Sequence, residues 1–291
     1  MDVNSSPKLE STCKKCFWKT YERLFQKFNA SDEIQIAFKS FYDTLMEEGD
    51  HLSTPEVQRE LSAYFSKLSG VEDLFLEEKN KYNKLAAEIV KEWKPKLSKS
   101  DNPFQLALRL SIAGNIIDFG ADHNFDVNKT IEKVINNKFA LDHSDELTKS
   151  VKNAKSILYL GDNAGEIVFD RLFIETVAHQ NVIFAVKGGP ILNDVLMEDA
   201  LETQMDDFAK IISNGYDAPS TVLDKSSEEF QKQFKNADLI ISKGQGNLEG
   251  LIHIDDPRIF YLLMVKCDVI AKTIGVEKGD FVVFNKTYKE K

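Results

Sequence analysis

Ser156-Ile-Leu-Tyr-Leu-Gly-Asp-Asn-Ala-Gly-Glu166 decides the fold. A short, uninterrupted apolar run ends in a carboxylate and an amide, and a glycine-bearing turn leads into a helical pattern over Ile167–Ala178. An apolar run without polar alternation reads as a strand buried on both faces, the kind found in parallel sheets. The same unit recurs downstream at Val182–Val186, Lys210–Ser213, Leu239–Ser242, Arg258–Met264 and Phe281–Phe284, with a further helical pattern over Ser227–Phe234. The spacing predicts an α/β unit over 151–291, built on a mostly parallel sheet with helices on both faces. In such sheets ligands bind beyond the C-terminal strand ends.

Upstream the pattern is helical. Phe17, Tyr21, Leu24, Phe25 and Phe28 share one helix face, as do Ile34, Ala37, Phe38, Phe41 and Leu45. Thr54 before Pro55 marks a helix start and Gly70 its stop. A further helix is expected from Val71 to Trp93, halted near Pro95, and another from Pro103 towards Gly120. No alternating strand is read before about residue 150, and 121–150 reads as a connection. The expected division is a helical region over 1–150 and the α/β unit over 151–291, either as two cores or as one.

A formal net charge of −10 disfavours nucleic-acid partners, which need broad positive surfaces. No apolar run reaches the length of a membrane span, and Met1-Asp-Val-Asn-Ser-Ser6 lacks a basic region followed by an apolar stretch, so no secretory leader is expected. Three cysteines form an odd, sparse set and imply a reducing, cytoplasmic setting. Oligomeric state is not legible in the pattern.

Three polar motifs fall at successive strand ends. Asp162 and Asn163 offer a carboxylate and an amide oxygen, ligands that Mg²⁺ or Mn²⁺ accept, and the following helix would aim N–H groups at a phosphate. The bland alternative makes Asn163 an N-cap with Glu166 completing a capping box. Lys187-Gly-Gly-Pro-Ile-Leu-Asn-Asp194 repeats the amide–carboxylate pair at Asn193 and Asp194, which could equally cap a helix over Val195–Leu201. Gly188 and Gly189 let a ligand approach the backbone, and Lys187 is either a crevice residue or simply solvated. Lys243-Gly-Gln-Gly-Asn247 sets a lysine before two glycines, a phosphate-contacting arrangement without the Walker spacing, or else a flexible turn. Gly244 and Asn247 join the substrate-binding candidates, and Glu249 could orient Lys243 or face solvent. Ala113-Gly-Asn-Ile-Ile-Asp-Phe-Gly120 places Gly114 and Asn115, poor interior helix residues, where a helix could approach the sheet and turn Asn115 and Asp118 to the site. Cys13-Lys-Lys-Cys16 is half of a zinc pattern whose other half is missing, and Cys267 reads as a small buried hydrophobe. The five histidines show no ligand spacing.

Taken in order and spacing, these motifs resemble the metal-dependent damage-control phosphatases, long catalogued as a domain of unknown function, in their compact archaeal and bacterial branch. The resemblance rests on Cys13-x-x-Cys16, Gly114 to Gly120, Gly161-Asp-Asn-Ala-Gly-Glu166, Lys187 to Asp194, Lys243 to Asn247 and Lys266-Cys267. It implies a helical N-terminal region on a three-layer αβα domain with a Rossmann-like sheet. It also implies a divalent cation (Mn²⁺, Ni²⁺, Co²⁺ or Mg²⁺) held by Asp162, Asn163 and Asp194, and hydrolysis of small phosphorylated metabolites. The Lys-Lys between Cys13 and Cys16 departs from the apolar or proline residues associated with that position.

The function expected is phosphomonoester hydrolysis, with Lys243 and Lys187 neutralising charge on the phosphoryl oxygens and Glu166, Asn115, Asn193, Gly244 and Asn247 binding substrate. A rival mechanism makes Asp162 a nucleophile, against which stands the alanine at position 164. Two rival functions are S-adenosylmethionine-dependent carboxyl methyl transfer, also linked to the family, and non-catalytic sensing of metal or phosphometabolite.

Overall fold

A computed structural model describes residues 10–49, 51–115 and 127–288. Within them seven strands form one sheet: β1 (Leu141–Asp142), β2 (Ile157–Leu160), β3 (Val182–Val186), β4 (Lys210–Ser213), β5 (Leu239–Lys243), β6 (Ile259–Met264) and β7 (Phe281–Phe284). The helices are α1 (Ser11–Lys27), α2 (Asp32–Glu48), α3 (Thr54–Ser69), α4 (Leu76–Leu97), α5 (Pro103–Gly114), α6 (Val127–Asn136), α7 (Ser144–Asn153), α8 (Glu166–Val177), α9 (Met197–Glu202), α10 (Glu228–Asn236), α11 (Gly244–Leu251) and α12 (Asp268–Ile274).

The strand order is β1-β7-β6-β5-β2-β3-β4, and every pairing is parallel except β6 with β7. From β2 the chain winds outward through β3 and β4, then returns across β2 to β5 and β6. The reversal lies between β2 and β5, the position where doubly wound sheets open a ligand crevice. Leu160 pairs with both Ala185 and Ser242, so β2, β3 and β5 end level there. Gly161-Asp162 and Lys243-Gly244 therefore leave the sheet side by side.

Alternate strand residues serve different helices, because side chains alternate across a sheet. Tyr159, Phe184, Ile241 and Leu262 face one core, which α4, α5 and α8 close with Ile89, Trp93, Leu108, Ile112, Phe169 and Phe173. Leu158, Leu160, Ile240 and Leu263 face the other, closed by Phe230 and Phe234 of α10, Leu248 and Leu251 of α11 and Ile270 of α12. The result is the expected three-layer, mostly parallel α/β arrangement. Helices α4 to α7 share a core with the sheet, so residue 150 marks a change of secondary structure within one apolar cluster. Helices α1 to α3 keep a core of their own, where the rings of Tyr21, Phe25, Phe38 and Phe65 meet at 4.4–5.9 Å between centroids. Arg59 of α3 ties that lobe to the loop after β4: its guanidinium pairs with Asp217 and lies 5.0 Å over the Tyr216 ring.

Several expectations need correction. Helix α4 begins at Leu76 and runs past Pro95 to Leu97, because Trp93 and Leu97 are both buried and anchor the last turn. Residues 127–153 hold two helices and a strand rather than a plain connection. Strand β1 is only two residues long, too short to show a pattern, and is specified by its pairing with β7. Gly114 does sit at a close approach, where a Cβ would stand 3.0 Å from the Phe169 ring on α8. Asp118 and its neighbours over 116–120 lie outside the described residues.

Candidate active site

Three loops meet beyond the C-terminal ends of β2, β3 and β5. The first two are joined by an isolated antiparallel bridge between Asn163 and Asp194, with Ala164 N–H donating to Asn193 O and Val195 N–H to Asp162 O, each at 2.9 Å. The bridge sets the Asp162-Asn163 pair beside Asp194. All three side chains are buried, at 7%, 6% and 3% exposure. Asp162 Oδ2 accepts from Asn115 Nδ2 at 2.9 Å and from Asn163 Nδ2 at 2.7 Å. The same two amides donate to Glu166 Oε2 at 2.7 and 3.2 Å. Asn115 thus reaches the site from the end of α5, and its buried Oδ1 has no hydrogen-bond partner among the described residues. Neither hydrogen bond of Asn163 uses its Oδ1.

The third loop supplies a surface for Asp162. Gly244 has φ +76°, and a Cβ there would stand 2.6 Å from Asp162 Oδ1 and closer still to Cγ and Oδ2. Asn247 Nδ2 holds the loops in register through Gly161 O at 3.0 Å and Lys243 O at 2.8 Å. Its Oδ1 accepts from Lys187 Nζ and from Thr221 Oγ1, both at 2.9 Å. Lys187 is 4% exposed and approaches Asp194 Oδ2 at 3.5 Å, so it is a crevice residue rather than a solvated one. Half-buried Lys266, just past β6, stands near enough to Asp162 to favour its ionised form.

Lys243 does not take the position expected of it. Its ammonium is fully buried and spent on the chain itself, 2.7 Å from Glu166 Oε1, 2.5 Å from Asp170 Oδ1 and 2.9 Å from both oxygens of Ser111. Burial alone would lower its pKa, but the Asp170 and Glu166 charges outweigh that and raise it. Lys243 is the counter-charge to Glu166 and Asp170. Asp170 is fixed further by Tyr159 OH at 2.8 Å and Ser111 Oγ at 2.7 Å. The capping readings also change. Gly165 is the N-cap of α8, which places Glu166 in the first turn, and Leu196 rather than Asn193 or Asp194 precedes α9. Gly165 N–H is taken by Asn83 at 2.6 Å, so that donor is not aimed at a ligand. Glu249 accepts from Gln245 instead of orienting Lys243.

Four buried carboxyl groups, Asp162, Glu166, Asp170 and Asp194, thus surround two buried ammonium groups, Lys187 and Lys243. The imbalance shows in their protonation. Burial first, then the charges of Glu166 and Asp194, push the Asp162 carboxyl up to about 8. Burial also lifts Asp170 to about 6, even with Lys243 alongside. Uncompensated carboxylates in a low-dielectric setting are costly, and a bound dication would offset that negative charge. Among the described residues no group of three or more His, Cys, Asp or Glu side chains has metal-holding geometry. The oxygen donors beside one another are two aspartates and an asparagine, a hard set that suits Mg²⁺ or Mn²⁺. That chemistry and the charge excess fit a divalent cation at Asp162, Asn163 and Asp194.

Asp170, Ser111, Asn83 and Lys266 were not singled out from sequence as site residues. Asp170 carried a faint signal, standing four residues after Glu166 and hence on the same face of α8. The cysteines border the third loop without joining the cation-ligand candidates. Cys13 and Cys16 occupy the start of α1, and half-buried Cys267 accepts from Gln245 at 3.4 Å; all three are free thiols.

The model of the damage-control phosphatase ARMT1-like domain matches residues 9–282. The chain is 40% identical over 227 residues to the damage-control phosphatase PH1575 of Pyrococcus horikoshii, covering 77% of this chain and 78% of that protein. It is 33% identical over 221 residues to a damage-control phosphatase of Archaeoglobus fulgidus, covering 74% and 77% respectively. An uncharacterized protein of Methanocaldococcus jannaschii is 39% identical over 233 residues, 77% of each chain. The crystal structure of the Pyrococcus horikoshii protein, described as a member of the DUF89 family, superposes with a TM-score of 0.85 at 33% identity, over 96% of this chain and 99% of that one. The chain belongs to the damage-control phosphatase ARMT1-like family.

Proposed function

We propose that this protein is a phosphatase that hydrolyses phosphomonoesters of small metabolites, such as sugar phosphates or nucleotides, with a divalent cation held by Asp162, Asn163 and Asp194. The role is metabolite damage control, the removal of damaged or misplaced phosphate esters; two relatives are named damage-control phosphatases. The observation that carries the reading is the buried carboxylate excess at the crevice between β2 and β5, beside buried Lys187. Bound there, a divalent cation supplies Lewis-acid polarisation of a phosphoryl oxygen and lowers the pKa of an attacking water.

The chain's own residues do the rest. Asn115, Asn163 and the bare surface of Gly244 hold the Asp162 carboxylate in one orientation. That fixed orientation, and buried Ala164 in place of a second acid, favour Asp162 as a ligand over Asp162 as a nucleophile. Lys187 and Lys266 are the ammonium groups placed to offset charge developing on the phosphoryl oxygens. Lys243 acts from below by holding Glu166, which shares the Asn115 and Asn163 amides with Asp162. No described helix is long and apolar enough to cross a membrane, and we place the protein in the cytoplasm.

Phosphate release from sugar phosphates, nucleotides and p-nitrophenyl phosphate tests the reading on chelator-stripped protein. Mg²⁺, Mn²⁺, Co²⁺ and Ni²⁺ are restored singly, with Asp162→Ala and Asp194→Ala alongside. Cation-dependent release that both variants abolish is the expected result. Release unchanged by chelation or by either substitution would overturn it, and binding of S-adenosylmethionine without a cation would favour methyl transfer.

A further inference from the structure

Helix α4 carries Lys79 and Asn83 four residues apart, on the face turned to α8 and α9, at 2% and 3% exposure. Asn83 Oδ1 accepts the Gly165 N–H at 2.6 Å, and its Nδ2 donates to Asp199 Oδ1 at 3.0 Å. The second oxygen of Asp199 accepts the Leu196 N–H at 3.0 Å and Lys79 Nζ at 3.1 Å. Lys79 completes its own pairing with Asp73 at 2.8 Å. Gly165 stands two residues beyond Asn163, and Leu196 stands two residues beyond Asp194. One buried chain of hydrogen bonds therefore runs from the end of the first ligand loop, through α4, to the end of the second.

We infer that Asn83 and Asp199, seated by Lys79, are positioning residues that fix the separation of Asn163 from Asp194. This rests on the cation reading given above. The two loops also touch through the Asn163–Asp194 bridge, and Asn247 ties their starts at Gly161 and Lys187. The α4 contact adds a tie at the far ends of both loops. A buried ammonium and carboxylate are a costly way to join two loops where apolar packing would serve stability as well. What the polar arrangement adds is direction, since each hydrogen bond fixes one atom of one loop. Outer contacts of this kind commonly change metal affinity by about 10–100-fold when removed.

The pattern of donors supplies the test. In Asn83→Asp, two carboxylates confront each other; in Asp199→Asn, an amide must face Leu196 N–H, Lys79 and the Asn83 amide together. The double swap Asn83→Asp/Asp199→Asn restores every hydrogen bond with one polarity reversed and leaves the net charge unchanged. Mn²⁺ affinity is measured calorimetrically on the full, chelator-stripped chain, with Tm read in parallel. Asn83→Ala, which adds no charge, is included in case a single swap fails to fold. Each folded single variant should bind Mn²⁺ about 10–100-fold more weakly than the parent, and the double swap should return close to the parent value. Single variants with lowered Tm but parental Mn²⁺ affinity would make the contact merely structural and overturn the inference. A folded double swap that binds as weakly as the single variants would overturn it too. A parent protein that binds no divalent cation would instead remove the reading on which it rests.

Discussion

Gly244→Ala is the most demanding test of how the site is built. A residue with a Cβ at φ +76° costs about 1–2 kcal/mol, whatever surrounds it. The larger effect is steric, because the new Cβ would overlap the Asp162 carboxylate. That carboxylate, ionised once a cation is bound, is 7% exposed and accepts two hydrogen bonds on Oδ2, each worth about 1.5–3 kcal/mol to a charged group. Swinging it clear forfeits both, so the substitution costs about 4–8 kcal/mol, against about 5–15 kcal/mol for the folding of a whole domain. Gly275→Ala is the matched control, since it has φ +77° and nothing within 4 Å of the added Cβ. Differential scanning fluorimetry, Mn²⁺ titration and phosphate release are read on both. The control should lose a few degrees of Tm and keep its activity. Gly244→Ala should lose about 10–100-fold or more in activity, the equivalent of one such hydrogen bond lost in the transition state. If the two variants matched in Tm, Mn²⁺ affinity and rate, Asp162 could not be held against Gly244 in the way the geometry requires.

Other consequences concern the charges. Lys243→Met strands Glu166 and Asp170 without their counter-ion and should cost about 3–5 kcal/mol, seen as a large fall in Tm; a variant stable to within a degree would contradict the buried network. Lys266→Ala, at a half-buried position, should leave Tm within the change expected of about 0.5 kcal/mol while lowering kcat/KM for phosphate esters; unchanged kinetics would remove Lys266 from the site. The pH dependence of the cation-free protein follows from Asp162. Its folded pKa, about 8, lies above the ordinary carboxylate value, so the folded state holds the proton more tightly. The stability this provides is complete below about pH 4 and is lost as pH rises through 8. Relative to Asp162→Asn, the chelated parent should therefore lose Tm across that range, and saturating Mn²⁺ should restore it; a parent that gained on the variant with rising pH would reverse the sign.

The sheet was legible because its central strands are buried on both faces, which leaves runs such as Ile157–Leu160 with no polar interruption. The same runs placed the polar motifs at the strand ends. What escaped the sequence was long-range pairing. Lys243 looked like a loop lysine because its partners, Asp170 on α8 and Ser111 on α5, are 73 and 132 residues away. Asn83 and Lys79 were plain helix residues until Asp199, more than a hundred positions on, supplied their purpose. Pro95 reads as a stop in the sequence, and the burial of Trp93 and Leu97 against the core overrides it. Strand β1 exists only because β7 lies beside it.

Everything proposed for the activity turns on Asp162, Asn163 and Asp194 forming a divalent-cation centre. A crystal of this protein grown with Mn²⁺ and measured at the manganese absorption edge tests it most directly. One strong anomalous peak is expected in the crevice between β2 and β5, ligated by oxygens of Asp162, Asn163 and Asp194 and absent in Asp162→Ala. An anomalous peak elsewhere, or none at this site at saturating Mn²⁺, would contradict it.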